Sequence, residues 1–395
     1  MSHYFDHAAT SPLRPEARDA WLEASTIVGN ASSIHASGQD ARRVLEEARE
    51  RLAVVLDCEP IEVVFTSGGT ESVNLAVKGL WWTRDVAADA FVMPDGEHHS
   101  TVDAAHWLRT HEGAQVREVP LDALGRVAPE AIAAALPGAA FATALAANNE
   151  VGTVNDASAL SEAASTAGVP LHLDAIAAFG HLPVSFRQWR GEAEGRSGLV
   201  AMSVSAHKVG GPTGIGALVV SRKAEVSPLL HGGGQQRGLR AGTQDVASAV
   251  AFAVAAELAV SERAVEAVRL QALRDELIRG VLGSVAEATL LGDPVRRLPG
   301  NAHILFPGAF GETLLFLLDQ ARVSVSTGSA CQAGVPEPSH VVLALGRDAV
   351  QARQVLRFTL GRTSTQDDID TLLRVLPAAV ERARAASGPR TGSQS

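Results

Sequence analysis

Ser203-Val204-Ser205-Ala206-His207-Lys208 sets a lysine directly after an apolar run and just ahead of Val209-Gly210-Gly211-Pro212-Thr213-Gly214. A lysine so placed suits Schiff-base chemistry, because burial beside other cations lowers its pKa toward the neutral amine that attacks a carbonyl. Ser205 and His207 flank it as donors for a phosphate. An ordinary surface lysine is the alternative, and the crowd of glycines weighs against it, since they let a bulky ligand approach the backbone. Thr66-Ser67-Gly68-Gly69-Thr70-Glu71 offers free backbone N–H groups at a helix start, with the Thr70 hydroxyl beside Gly69, as an anion cradle would. It is neither a Walker loop nor a G-x-G-x-x-G fingerprint. Taken alone, a tight turn that needs glycine is the simpler reading.

Other stretches add complementary groups. Leu171-His172-Leu173-Asp174 ends an apolar run in a carboxylate, which is costly to bury without a positive partner. A protonated pyridine nitrogen is such a partner; a metal ligand and a helix N-cap compete, and for this residue alone the N-cap is simpler. In Glu97-His98-His99-Ser100, adjacent histidines suit a metal poorly. His98 stacked on an aromatic cofactor and moving protons is more economical, with His99 a surface residue. Ala147-Asn148-Asn149-Glu150 suggests polar recognition of a small ligand, or equally an Asn-rich turn. Cys331 lies among small, polar, flexible neighbours, as a travelling nucleophile would, whereas Cys58 in Leu56-Asp57-Cys58 reads as a buried small hydrophobe. Arg357 is the one charge in Val355-Leu356-Arg357-Phe358. It can grip a carboxylate bidentately or serve a structural ion pair.

These groups follow predicted strands. From about residue 40 to 220 strand-like and helix-like runs alternate: a helical stripe over Gln39–Asp57, then strands at Ile61–Phe65, Phe141–Ala146, Val169–Leu173, Val200–Val204 and Ile215–Val220. Such alternation implies an α/β fold with a mostly parallel sheet covered on both faces, whose ligands sit at the carboxyl ends of strands. Val246–Leu282 reads as one long helix or two with a kink. From about Leu290, short strands (Ala302–Phe306, Val323–Ser326, Val355–Leu360) and helices suggest a smaller α+β domain, and Ala386–Ser395 a flexible tail.

A chain of 395 residues suits two or three domains, and 46% hydrophobic with 20% charged residues excludes a mainly disordered one. The net charge of −10 argues against direct nucleic-acid binding. Two cysteines exclude a disulfide scaffold or a Cys-rich zinc module, and no secretory or membrane-spanning pattern is visible. The expectation is a soluble cytoplasmic protein without a membrane partner.

In this order the motifs resemble the NifS/IscS-type cysteine desulfurases, pyridoxal 5'-phosphate enzymes related to the class-V aminotransferases. The similarity runs from Phe5-Asp6-His7-Ala8-Ala9-Thr10 to Gly361-Arg362-Thr363, through Gly29-Asn30-Ala31-Ser32, Asn148-Asn149-Glu150-Val151-Gly152 and Gly232–Thr243. Ser-Thr-Gly-Ser-Ala-Cys before position 332 resembles the long-loop branch. The resemblance implies the fold-type-I architecture of pyridoxal phosphate enzymes: a large domain (15–260) around a mixed seven-stranded sheet, a small domain from both chain ends (1–14 and 261–385), and a tail (386–395). It implies that Lys208 holds the cofactor, Asp174 its ring nitrogen, and Gly69, Thr70, Ser205 and His207 its phosphate, joined by Thr243 from the other subunit of a homodimer. His98 would stack on the ring and move protons; Asn149, also at the cofactor, and Arg357 would hold the substrate carboxylate. Cys331 would take the sulfur of L-cysteine as a persulfide, leaving alanine, and pass it to an acceptor protein such as an iron–sulfur scaffold or a thiolation protein.

One position departs from the family pattern. Asp174-Ala175-Ile176-Ala177 carries Ala177 where the family usually has a glutamine that donates to the cofactor's phenolic oxygen. A lost hydrogen bond to a charged group is worth about 1.5–3 kcal/mol. Other readings are a selenocysteine or cystine lyase or an aminotransferase of the same fold, for which Cys331 is dispensable, and a non-catalytic scaffold that binds a sulfur carrier.

Overall fold

The computed structural model of the chain describes residues 2–328 and 337–387. Its central element is a sheet of seven strands: β2 (Val63–Thr66), β3 (Ala90–Pro94), β4 (Gln115–Val119), β5 (Ala142–Leu145), β6 (Pro170–Asp174), β7 (Gly198–Ser205) and β8 (Gly216–Val220). They lie in the order β2-β8-β7-β6-β5-β3-β4. Only the β2/β8 and β7/β8 pairs are antiparallel; the other neighbours run parallel. Strands covered on both faces carry continuous apolar runs, and every residue of β5, β7 and β8 is buried. β3 and β4 are strands that the sequence reading did not single out. β4 is an edge strand with exposed Gln115 and Glu118 and shows neither alternation nor an apolar run.

The helices are α1 (Pro15–Ala24), α2 (Ala36–Leu56), α3 (Gly69–Trp82), α4 (His99–Glu112), α5 (Pro129–Ala135), α6 (Ala157–Thr166), α7 (Phe186–Arg190), α8 (Val246–Ser284), α9 (Gly311–Gln320), α10 (His340–Ala344) and α11 (Gln366–Ser387). α3 and α4 bury Val73, Leu80, Trp81 and Leu108 in one apolar cluster with β2, β3 and β7 residues. α2, α6 and the first half of α8 bury Leu45, Leu52, Leu160 and Phe252 in a second cluster across the sheet. Val246–Leu282, expected as one helix or two with a kink, lies within a single helix of 39 residues, Val246–Ser284, about 60 Å long.

The second half of α8 (Leu270, Leu273, Leu277, Val281) enters a third cluster with Phe5, α9 and α11. That cluster backs a three-stranded antiparallel sheet of β9 (Thr289–Leu291), β10 (Asn301–Leu305) and β12 (Val355–Thr359), ordered β12-β10-β9. A two-stranded parallel pair, β1 (His3–Tyr4) with β11 (Val323–Ser324), ties the first residues of the chain to the same region. The strand expected over Val323–Ser326 is thus short, Ser326 reaching Arg357 only as an isolated bridge. Ser387 completes α11; residues 388–395, most of the expected tail, lie outside the described residues. No described helix is long and apolar enough to cross a membrane.

Candidate active site

A cavity of about 420 Å³ opens at the carboxyl ends of β5, β6 and β7. It collects Gly69, Thr70, His98, Asn149, Asp174, Ser205, His207, Lys208 and Arg357, which is every site residue expected from sequence except Thr243 and Cys331. Thr243 is exposed and does not line it. Cys331 lies outside the described residues.

The floor is made by strand ends. Asp174 is the last residue of β6, in register with Leu145 of β5 and Ser203 of β7. Its Oδ1 accepts the Ile176 N–H at 2.9 Å, and no cation pairs with it among the described residues. Burial therefore raises its pKa from 3.8 to about 6, although the Ile176 N–H and Lys208 pull the other way. Ser205 ends β7; its hydroxyl is buried without a partner among the described residues. A single helical turn, Ala206–Lys208, follows. Lys208 Nζ donates to the carbonyls of Ala8 and Ala9, the latter at 2.9 Å. Burial first and the Arg357 charge second lower its pKa from 10.5 to about 8, with Asp6 and Asp174 opposing. His207 is held down to about 4 by burial and by Lys208, and its Nδ1 lies 3.3 Å from Thr10 Oγ1.

Above the floor, α3 starts at Gly69 with no side chain capping its first turn. A Cβ on Gly69 would lie 2.4 Å from Ile176 Cδ1, so a larger residue at the start of α3 would require the Ile176 side chain to shift. The uncapped first-turn N–H groups and the Ser205 hydroxyl, unpartnered among the described residues, are donors of the kind an anion would take.

His98 is accessible through the cavity and is the N-cap of α4: Nδ1 accepts the Ser100 N–H at 3.1 Å. A neutral ring in this setting carries its proton on Nε2. Burial, then Lys208, lower its pKa to about 4, so it is neutral at physiological pH. His99, expected at the surface, is half-buried and edge-on to His340, ring centroids 4.8 Å apart.

The far wall comes from distant sequence. Arg357 on β12 is buried; Nη2 donates to Asp6 Oδ1 at 2.9 Å and Nη1 to the Asn149 carbonyl at 3.0 Å. Its Nε is buried without a partner. The ion pair and the carboxylate grip expected as alternatives are therefore compatible, because a guanidinium has five N–H groups. Sequence reasoning gave no role to Asp6, to the Ala8 and Ala9 carbonyls, to His340 or to Glu97. Residues 3–10 show no periodicity, a two-residue strand being too short for one. Cys58 is buried and free, and burial pushes its thiol well up, as a small core hydrophobe should behave. Among the described residues no cluster of His, Cys, Asp or Glu could hold a metal.

The model of the class-V aminotransferases matches residues 3–372. The IscS-like cysteine desulfurase of Mycobacterium tuberculosis is 48% identical over 397 residues, 99% of this chain and 99% of that protein. The cysteine desulfurase of Cereibacter sphaeroides is 40% identical and covers 97% of this chain and 97% of its own length. A solved NifS-like protein superposes with a TM-score of 0.88 at 29% identity, covering 97% of this chain and 100% of that one. With relatives matched along almost its whole length, the chain belongs to the class-V aminotransferases, in the branch of NifS/IscS-type cysteine desulfurases.

Proposed function

We propose that the protein is an L-cysteine desulfurase that works with pyridoxal phosphate as a homodimer and hands sulfane sulfur to an acceptor protein. The observation that carries this reading is the convergence of Lys208, Asp174, Ser205, His98 and Arg357 on one cavity. Its groups fit the cofactor: an uncapped helix start and an unpartnered Ser205 hydroxyl for the phosphate, and an unpaired buried carboxylate for a ring nitrogen. Gly69, Thr70, Ser205 and His207 would hold the phosphate, Asp174 the ring nitrogen and Lys208 the covalent link. Thr243, exposed and outside this cavity, would join them from the second copy of a homodimer. When bound, the cofactor supplies an electron sink that stabilises negative charge beside its ring.

The chain's own groups do the rest. At pH 7–8 a useful fraction of Lys208 is the neutral amine that can attack a carbonyl or take a proton, because its pKa is near 8. Neutral His98 offers Nε2–H toward the cavity for stacking and proton transfer. Arg357, with N–H groups to spare, and the Asn149 side chain would orient the substrate carboxylate. The Cys331 thiolate attacks the substrate sulfur; an S–S bond forms, the Cβ–S bond breaks, and its electron pair takes a proton to give the methyl group of alanine. A persulfide carrier of this kind suits a reducing compartment such as the cytoplasm.

The test is incubation with L-cysteine and a thiol reductant. Alanine and sulfide should appear in equal amounts, and Cys331→Ala should abolish sulfide release. Full cysteine turnover by that variant, or no borohydride-trapped adduct on Lys208 by mass spectrometry, overturns the reading.

A further inference from the structure

One ionisable group of the cavity has no task in the chemistry above. Glu97, the residue before His98, is buried: Oε1 accepts the Leu145 N–H at 2.8 Å, and Oε2 has no partner among the described residues. Leu145 is the register partner of Asp174 across β5 and β6, so the Glu97 carboxyl sits on the strand pair that ends in Asp174. We propose that Glu97 is a positioning residue, a carboxylic acid kept protonated beside Asp174, so that the floor of the cavity carries one negative charge and one O–H.

The surroundings leave a carboxylate at Glu97 little support. Among the described residues its only side-chain hydrogen bond is the one from Leu145, and no cation pairs with it. The groups facing it are Asp174 from β6, neutral His98 at the start of α4, and His340 of α10. His340 Nε2 reaches the Glu97 main-chain oxygen at 2.7 Å rather than the carboxyl. Two carboxyls close together away from water do not both ionise; one keeps a proton. Asp174 is the one held in its charged form, since the Ile176 N–H and Lys208 both favour the anion there. Burial, with Asp174 adding to it, correspondingly lifts Glu97 from 4.5 to about 8. The functional consequence rests on the reading of Asp174 as partner of a cationic ring. A neutral Glu97 leaves that charge undivided, and a second anion would hold a proton on Asp174 or on the ligand that belongs elsewhere.

Infrared difference spectroscopy of wild type against Glu97→Gln tests the protonation state directly, with or without cofactor. At pH 7 wild type should show the C=O stretch of a protonated carboxylic acid that Glu97→Gln lacks, and this band should titrate away only as pH rises through about 8. In Asp174→Asn, with the neighbouring charge removed, the midpoint should fall by on the order of one pH unit. In turnover, Glu97→Gln keeps the hydrogen-bonding shape and should run at least about tenfold faster than Glu97→Ala. Carboxylate bands alone at pH 7 overturn the proposal, and an Asp174→Asn midpoint that does not move overturns the pairing. Failure of the functional reading looks different: a cofactor that never attaches to Lys208, whatever the infrared spectrum of Glu97.

Discussion

On the floor of the cavity the ionisable groups stand without ion-pair partners, whereas on its outer wall the charge is paired. Asp174, at the end of β6, and Glu97, in the connection between β3 and α4, are buried and have their pKa values raised chiefly by burial. Lys208 and His98 are lowered for the same reason. Arg357, opposite them, is fixed by Asp6 at 2.9 Å and by the Asn149 carbonyl. For Lys208, Asp174 and Glu97 an environment that disfavours the charged form brings the pKa toward the working pH, whereas for His98 it moves the pKa away from it and keeps the ring neutral. A group that only orients an anion gains from being permanently charged and held still.

The largest effect should come from breaking the floor at its amine. Lys208→Ala should lose at least about 1,000-fold in kcat, since both the covalent link and the nearest proton acceptor go. The same contrast sets a pH dependence. A lowered amine pKa means that the neutral form grows as pH rises through about 8, rather than through the usual range near 10.5. Capture of pyridoxal phosphate by the cofactor-free protein, followed by absorbance, should therefore accelerate with a midpoint near pH 8 and level off by about pH 9. An acceleration that continues toward pH 10 would show that burial does not govern this lysine.

Breaking the wall should cost less and read out differently. Arg357→Lys keeps the charge but loses the fork that reaches Asp6, Asn149 and a carboxylate together. A fall of about 10–100-fold in kcat/KM is expected, carried mainly by KM. A change confined to kcat would place Arg357 among the groups that act on the reacting atoms.

The same division decides what the sequence reveals. Floor residues close or follow apolar strand runs, Asp174 as the last residue of β6 and Lys208 just past β7, so their type and position could be read locally. Wall contacts join residues far apart: Arg357 to Asp6 across 351 positions and to Asn149 across 208. No local pattern encodes those pairings, and Phe5–Thr10 drew attention only through family resemblance. Glu97 was visible beside His98, but its burial depends on β5 closing over it from 48 positions away. β3 and β4 escaped notice because strand-forming tendency is set partly by neighbours in the sheet.

The smallest effect sharpens the floor rather than breaking it. Ala177 lines the cavity three residues past Asp174 and one past Ile176, whose N–H Asp174 accepts, at the position where the family resemblance implies a glutamine. Its methyl group offers no donor, so the negative charge of a phenolic oxygen near it would lack one hydrogen bond. Ala177→Gln introduces an amide on a half-buried position that opens to the cavity, so the longer side chain can extend into it. The expected gain is about two- to tenfold in kcat, matching one added hydrogen bond. The pH midpoint of the cofactor's absorbance should fall at the same time, because a donor to the phenolic oxygen favours its anionic form. An unchanged midpoint would mean that another group on the floor already makes this bond, and that Ala177 is a compensated replacement rather than a missing donor.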